Sequence, residues 1–263
     1  MQLPLGQDLL IRLRSRRLRA MMKRKDPALD FPLADIAPRP VPKIIWSYWH
    51  SGEADAPETA ARCFDSWRRL NPGWELRVLD ETSHAEHAGM SDVGTAHVAN
   101  WTDVLRTRLL ARHGGVWADA TLLCARPLDQ WLPIAAPSGF FAFADPGPDR
   151  RIASWFLAAA PENPFVAALE RKLTAYWAKR TKASAYFYFH YLAEHLIRTD
   201  PAAAQVWLRT PRISARPMLT LHAALKAGES FAPGRFDCAP VHKLSWKGGP
   251  SWDEVSAALR LQG

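Results

Sequence analysis

At 263 residues and 29.5 kDa the chain can bury a substantial core, and its 48% apolar and 23% charged residues exclude a disordered protein. The net charge of +8 is lopsided: residues 1–25 hold eight Lys/Arg against Asp8 alone, which leaves the rest of the chain nearly neutral and without a basic face for nucleic acid. Cys63, Cys124 and Cys238 are odd in number and far apart, so they suggest neither a disulfide framework nor a metal cluster, and they point to a reducing compartment.

In chain order, the basic segment comes first. Wound as a helix, it places Leu10, Ile11, Leu18, Met21 and Met22 on one side and Arg12, Arg16, Arg19 and Lys23 on the other. That pattern suits an anionic membrane surface, at about 1 kcal/mol per basic residue near the lipid. A solvated arm, or an arm that docks on another polyanion, is the alternative. No apolar run approaches the roughly 18 residues of a membrane span, and arginines interrupt any signal-peptide-like stretch. The expected location is therefore cytoplasmic, peripheral at the inner face of the membrane. Prolines 27, 32, 38, 40 and 42 read as an extended linker. This divides the chain into an arm and linker over 1–40 and a single domain over 41–263.

Lys43 to Trp49 is β-branched and aromatic and reads as the first strand. Pro57 to Leu70 has helical spacing and ends at Asn71-Pro72-Gly73. A second strand, Trp74 to Leu79, completes a strand–helix–strand unit of the kind that builds parallel sheets with ligands at the strands' carboxyl ends. Val98 to Arg112 reads as a helix stopped by Gly114-Gly115, and Gly115 to Thr121 as a third strand that runs into Asp119. Further on, Arg151 to Ala159 reads as a strand. Asn163 to Lys179, Tyr186 to Arg198 and a segment from Trp252 read as helices.

Asp103 and Arg106 lie three apart, so they share a helix face and can reach a common ligand; the alternative is a surface ion pair worth only ~0.2–0.5 kcal/mol. Asp119 follows the apolar run Val116-Trp117-Ala118, and a carboxylate there is costly to desolvate unless a cation or polar ligand meets it. It suits a hard cation such as Mg²⁺ or Mn²⁺ whose other ligands are phosphate oxygens. Glycine-rich phosphate loops are absent from the sequence.

Together these segments carry a resemblance. Pro42 to Trp49, Cys63 to Leu79, Asp103-Val104-Leu105-Arg106 and Gly114 to Thr121 resemble the sugar-transfer enzymes of the capsular polysaccharide synthesis type. Those enzymes are related to the Asp-x-Asp glycosyltransferases of the mannosyltransferase and large clostridial toxin group. The resemblance covers residues 41–132 well and returns weakly at Ser154-Trp155-Phe156 and His242-Lys243-Leu244. It implies an α/β, GT-A-like Rossmann-type fold, a mostly parallel sheet flanked by helices, with 41–132 as the nucleotide-sugar half. Residues 133–263 would supply the acceptor half and the closing segment.

The resemblance further implies roles for single residues: Asp103, Arg106 and Asp119 as catalytic residues, with Trp46, Trp49, Asp103, Arg106, Lys243 and Lys247 on a nucleotide-sugar donor. Ser154, Trp155 and His190 would face a glycan or lipid-linked acceptor. By spacing alone, His190 and Glu194 lie four apart on a helix and offer either an acid–base pair or a helix-surface hydrogen bond. Asp119, Thr121 and His242 would hold Mn²⁺ or Mg²⁺. Thr121 stands where the second aspartate of Asp-x-Asp would be, which weakens that metal set. The expected activity is a metal-dependent glycosyltransferase that retains anomeric configuration. A non-catalytic nucleotide-sugar or glycan-binding protein is the alternative, as is a docking protein acting through its basic arm.

Overall fold

The structure is a computed structural model and describes residues 39–94, 97–178 and 180–261. The expected basic arm and most of the linker lie outside the described residues. Among the described residues no helix is long and apolar enough to cross a membrane.

The first strand–helix–strand unit forms where the sequence places it. Strand β1 (Ile44–Tyr48) leads through helix α1 (Glu58–Leu70) to β2 (Glu75–Leu79), which pairs parallel to β1 from Ile44↔Glu75 to Tyr48↔Leu79. A short helix α2 (His84–His87) precedes α3 (Val98–His113), and α3 returns the chain to β3 (Gly115–Ala118), parallel to β1 on its other side. A hairpin of β5 (Phe140–Gly147) and β6 (Arg150–Ala159) then closes the sheet, with β6 antiparallel to β3. The order is β2-β1-β3-β6-β5, and four of the five strands run the same way. This is the expected α/β class with a mostly parallel sheet.

Strand alternation sends side chains to two layers. Trp46, Tyr48 and Trp117 face a core built with α3, α5 (Pro164–Trp177), α6 (Tyr188–Thr199) and α7 (Pro201–Arg209). Ile45, Val116, Ala118 and Phe156 face the other core, with Trp67 of α1, the short α4 (Leu132–Ala135) and Met218 of α8 (Arg216–Lys226). Helix α3 lies under the sheet and is buried over nearly all its middle, from Val104 to Leu110.

A separate two-stranded ribbon lies beyond the carboxyl end of β3. It joins β4 (Leu122–Cys124) to β7 (Val241–Lys243) in antiparallel register, with Leu122 opposite Lys243, and it leads to the last helix, α9 (Trp252–Leu259). This ribbon brings a late segment of the chain back to the end of β3.

Candidate active site

Asp119 sits one residue past β3, and its backbone is fixed on both sides. Its N–H donates to Trp155 O at 3.0 Å, its carbonyl accepts from Leu122 N at 2.8 Å, and Ser47 Oγ donates to the preceding Ala118 O at 2.8 Å. Gly114 before β3 and Gly115 at its first position are required by the same close packing. Gly114 and Gly115 have φ of 66° and 98°, and a Cβ on Gly115 would lie 2.5 Å from Ile44 O.

The carboxylate of Asp119 is 26% accessible and faces cations on two sides. Its Oδ1 accepts from Trp117 Nε1 at 2.9 Å and lies 3.6 Å from Arg106 Nη2; its Oδ2 lies 3.5 Å from Lys243 Nζ. Lys243 Nζ also donates to Thr121 Oγ1 at 2.6 Å. Register explains the meeting, since Leu122 pairs with Lys243 and Leu244 N bonds Thr121 O at 2.8 Å.

Arg106 is 6% accessible and acts as a bracket. Its Nε donates to Thr102 O at 3.1 Å and its Nη1 to Ser154 O at 2.8 Å, while Nη1 lies 3.3 Å from Asp103 Oδ1. The guanidinium stands 5.1 Å from the centroid of the Trp117 ring. Asp103 is 14% accessible and accepts from Tyr188 Oη at 2.9 Å. Burial pushes its carboxyl up to about 6, opposed by the Arg106 guanidinium and the Tyr188 hydroxyl. Burial and the neighbouring Asp103 charge push the Tyr188 phenol upward as well, so it remains a donor.

Two clefts meet at Arg106 and Asp119. The first, about 460 Å³, is lined by Tyr48, Trp49, Thr121, Lys243, Trp246 and Lys247. At its rim Trp49 and Trp246 meet edge to face at 5.4 Å, and Lys247 Nζ stands 4.6 Å from the Trp246 ring. The second, about 600 Å³, is lined by Asp103, Arg150, Ser154, Trp155, Phe187 and His190.

The sequence profile of the family described as capsular polysaccharide synthesis protein matches residues 30–252. The chain belongs to that family. Among curated relatives, it is similar to O-glycosyltransferase braB of Annulohypoxylon truncatum, 28% identical over 178 residues. That match covers 59% of this chain and 42% of braB. It is also similar to glycosyltransferase afumC of Aspergillus fumigatus, 29% identical over 138 residues, covering 46% of this chain and 34% of afumC. The chain thus spans less than half the length of the curated relatives it matches. The solved structure of PaToxG Glycosyltransferase superposes with a TM-score of 0.47 at 13% identity, covering 88% of this chain and 92% of that one.

In this family member the expected site residues divide into groups. Asp103, Arg106 and Asp119 converge; Trp49, Lys243 and Lys247 line the first cleft, and Ser154, Trp155 and His190 the second. Trp46 does not reach either. Strand parity turns it into the α3 core, where it is fully buried, donates to Gly114 O at 2.9 Å and packs on His87 and His113. Arg106 differs from a sugar-binding arginine on an open helix face, because backbone carbonyls and two carboxylates already engage it. His242 is turned away from Asp119 by the same alternation that presents Lys243. It lines a separate cavity of about 200 Å³ with Cys124 and Asp237, and burial pushes its imidazole down to about 4. Glu194 is held by Arg151 and Arg198, not by His190.

The residues at Asp119 do not fit a protein-held divalent cation. Among the described residues Asp119 is the single carboxylate lining the first cleft, Thr121 supplies a neutral oxygen, and the Lys243 ammonium contacts both. Among the described residues no three His, Cys, Asp or Glu side chains converge as a metal-binding group.

The sequence singles out neither of two participants: Trp246 at the rim, and Tyr188 on Asp103, which stands there only as one member of the aromatic run Tyr186 to Tyr191 suited to the acceptor side or to core packing. Trp246 sits within the Val241–Lys247 segment, where an aromatic between two lysines was the available signal. Tyr188 lay in an aromatic run that gave no means of choosing among its members.

Proposed function

We propose that the chain is a glycosyltransferase that moves a sugar from a nucleoside diphosphate donor to a hydroxyl of a glycan or lipid-linked glycan acceptor in surface polysaccharide synthesis. The observation that carries this reading is Asp119, a partly accessible carboxylate at the junction of two clefts and flanked by cations. Family membership and the glycosyltransferase names of the relatives support it.

The first cleft suits the donor. Trp49 and Trp246 offer aromatic faces for a base, since a rigid π face stacks on any planar base. Lys243 and Lys247 offer charge for the diphosphate. At the junction, Asp119 and Asp103 are placed to accept hydrogen bonds from sugar hydroxyls, and Arg106 positions both carboxylates. The second cleft, with Trp155, Phe187 and Ser154, suits an acceptor that presents an apolar sugar face and hydroxyls.

Retention of anomeric configuration belongs to this reading. Among the described residues, the carboxylates lining the two clefts are Asp103 and Asp119, and both are already engaged. Burial pushes His190 down to about 3, which makes it a weak base at neutral pH.

The test is Asp119→Asn, followed through hydrolysis of a panel of nucleotide sugars in buffer containing Mn²⁺. Turnover should fall by ~10²-fold or more, the scale of losing one preorganised electrostatic contact. Undiminished turnover with an unchanged melting temperature overturns the assignment.

A further inference from the structure

We infer that Lys243 takes the place of a divalent cation at this site, so that donor cleavage proceeds without added metal. The inference rests on the donor reading above and deepens it.

Charge and position both support it. In a site built on two carboxylates and a divalent ion, the three charges sum to zero. Asp119, the neutral Thr121 and the Lys243 ammonium sum to zero as well. The ammonium lies between the two side chains, 2.6 Å from Thr121 Oγ1 and 3.5 Å from Asp119 Oδ2. An ion chelated at that oxygen would have to displace the ammonium or stand against it, and like charges at such separations repel strongly in a partly buried site. The other oxygen, Oδ1, is taken by Trp117 Nε1 and faces Arg106.

Lys243 is also built into place rather than free on the surface. It is the last residue of β7, held in register opposite Leu122, and its side chain is 23% accessible. An ammonium carries three N–H donors. One is given to Thr121 and one is directed at Asp119, which leaves the third for a phosphate oxygen in the first cleft. Lys247 lines the same cleft, and Arg106 is already paired with Asp103, so among the described lining residues two ammoniums stand against the carboxylate of Asp119. That remaining positive charge suits a diphosphate.

The step balances without a metal. The bond between the anomeric carbon and the diphosphate oxygen breaks, and its electron pair stays on that oxygen. A new bond forms from the anomeric carbon to an acceptor hydroxyl, or to water in hydrolysis, and the hydroxyl proton leaves to solvent. The negative charge that accumulates on the diphosphate is met by Lys243, which keeps its own protons.

The experiment uses the full chain. Nucleotide-sugar hydrolysis is followed in EDTA and again with Mn²⁺ or Mg²⁺, and binding of inorganic pyrophosphate in EDTA is measured by calorimetry. The wild-type protein should turn over in EDTA at a rate close to that with metal and should bind pyrophosphate there. Lys243→Gln should lose turnover by ~10²–10³-fold, the range seen when a charge-stabilising donor is removed, and should lose pyrophosphate binding; Lys243→Arg should retain part of both. Wild-type turnover abolished by EDTA and restored by Mn²⁺ overturns the inference while leaving the donor reading intact. So does a Lys243→Gln protein as active in EDTA as wild type. Absence of turnover of every nucleotide sugar under both conditions overturns the donor reading and this inference with it. The chelator comparison needs no variant, so it stands even if Lys243→Gln fails to fold.

Discussion

Asp103 is the residue on which the pH behaviour of the site turns. An unfolded aspartate releases its proton near 3.9, whereas burial holds the folded carboxyl up to about 6. Below that value the carboxyl is neutral, its ion pair with Arg106 is lost and it accepts a sugar hydroxyl poorly. Donor cleavage should therefore show an acid limb near pH 6, read as the pH dependence of kcat/KM. The stability term has the opposite sense: because the folded pKa is raised, this group favours the fold most below pH 4, and that contribution is lost as pH rises through 6. Tyr188→Phe sharpens the test. The phenol donates to the carboxylate and so lowers its pKa; without it the acid limb should move to higher pH, at a stability cost of about 1 kcal/mol for the lost bond. An acid limb that stays in place in Tyr188→Phe would remove Asp103 from the reaction.

At the scale of elements, the site depends on how closely β3 approaches β1. Gly115 has a positive φ, and any Cβ there meets the Ile44 carbonyl. Gly115→Ala should lower stability by about 1–3 kcal/mol through backbone strain alone, read as a lower urea midpoint. It should also reduce turnover, because β3 carries Asp119; an unchanged midpoint would show that the approach is not needed. This part of the fold was legible because its signals are local. α1 shows helical spacing, β1 is a β-branched and aromatic run, and Gly114-Gly115 marks the break after α3, which is itself buried over its middle and carries no amphipathic period. The strand expected over 115–121 ends at Ala118, where the chain turns so that Leu122 N can reach Asp119 O. β5 was missed because Phe140 to Ala144 is a short run buried on both faces, without alternation. α7 was missed despite a local signal, since Asp200 caps it through Ala203 N and Pro201 starts it. The choice between His242 and Lys243 could not be read locally at all. Parity in β7 follows from its pairing with β4, and the bond that seats Lys243 joins residues 122 apart in sequence.

For the whole molecule, the charge and the candidate chemistry occupy different parts of the chain. The two clefts draw their linings from Tyr48 to Lys247, while eight basic residues lie within the first 25. A chain lacking residues 1–25 should hydrolyse a nucleotide sugar as fast as the full protein. Its donor binding should persist too. At a hundredfold excess over the dissociation constant a ligand adds about 2.7 kcal/mol of stability, which for a protein of this size raises the melting temperature by roughly 5–10 °C. What the truncated chain should lose is affinity for vesicles of anionic lipid, since each basic residue near such a surface contributes about 1 kcal/mol and is screened by salt. The measurement is co-sedimentation of both proteins with phosphatidylserine vesicles at low and high ionic strength, beside the hydrolysis assay. Equal sedimentation of the two proteins would separate the basic segment from membrane attachment. Loss of hydrolysis in the truncated chain would instead tie that segment to the clefts, and the separation of charge from chemistry would fall.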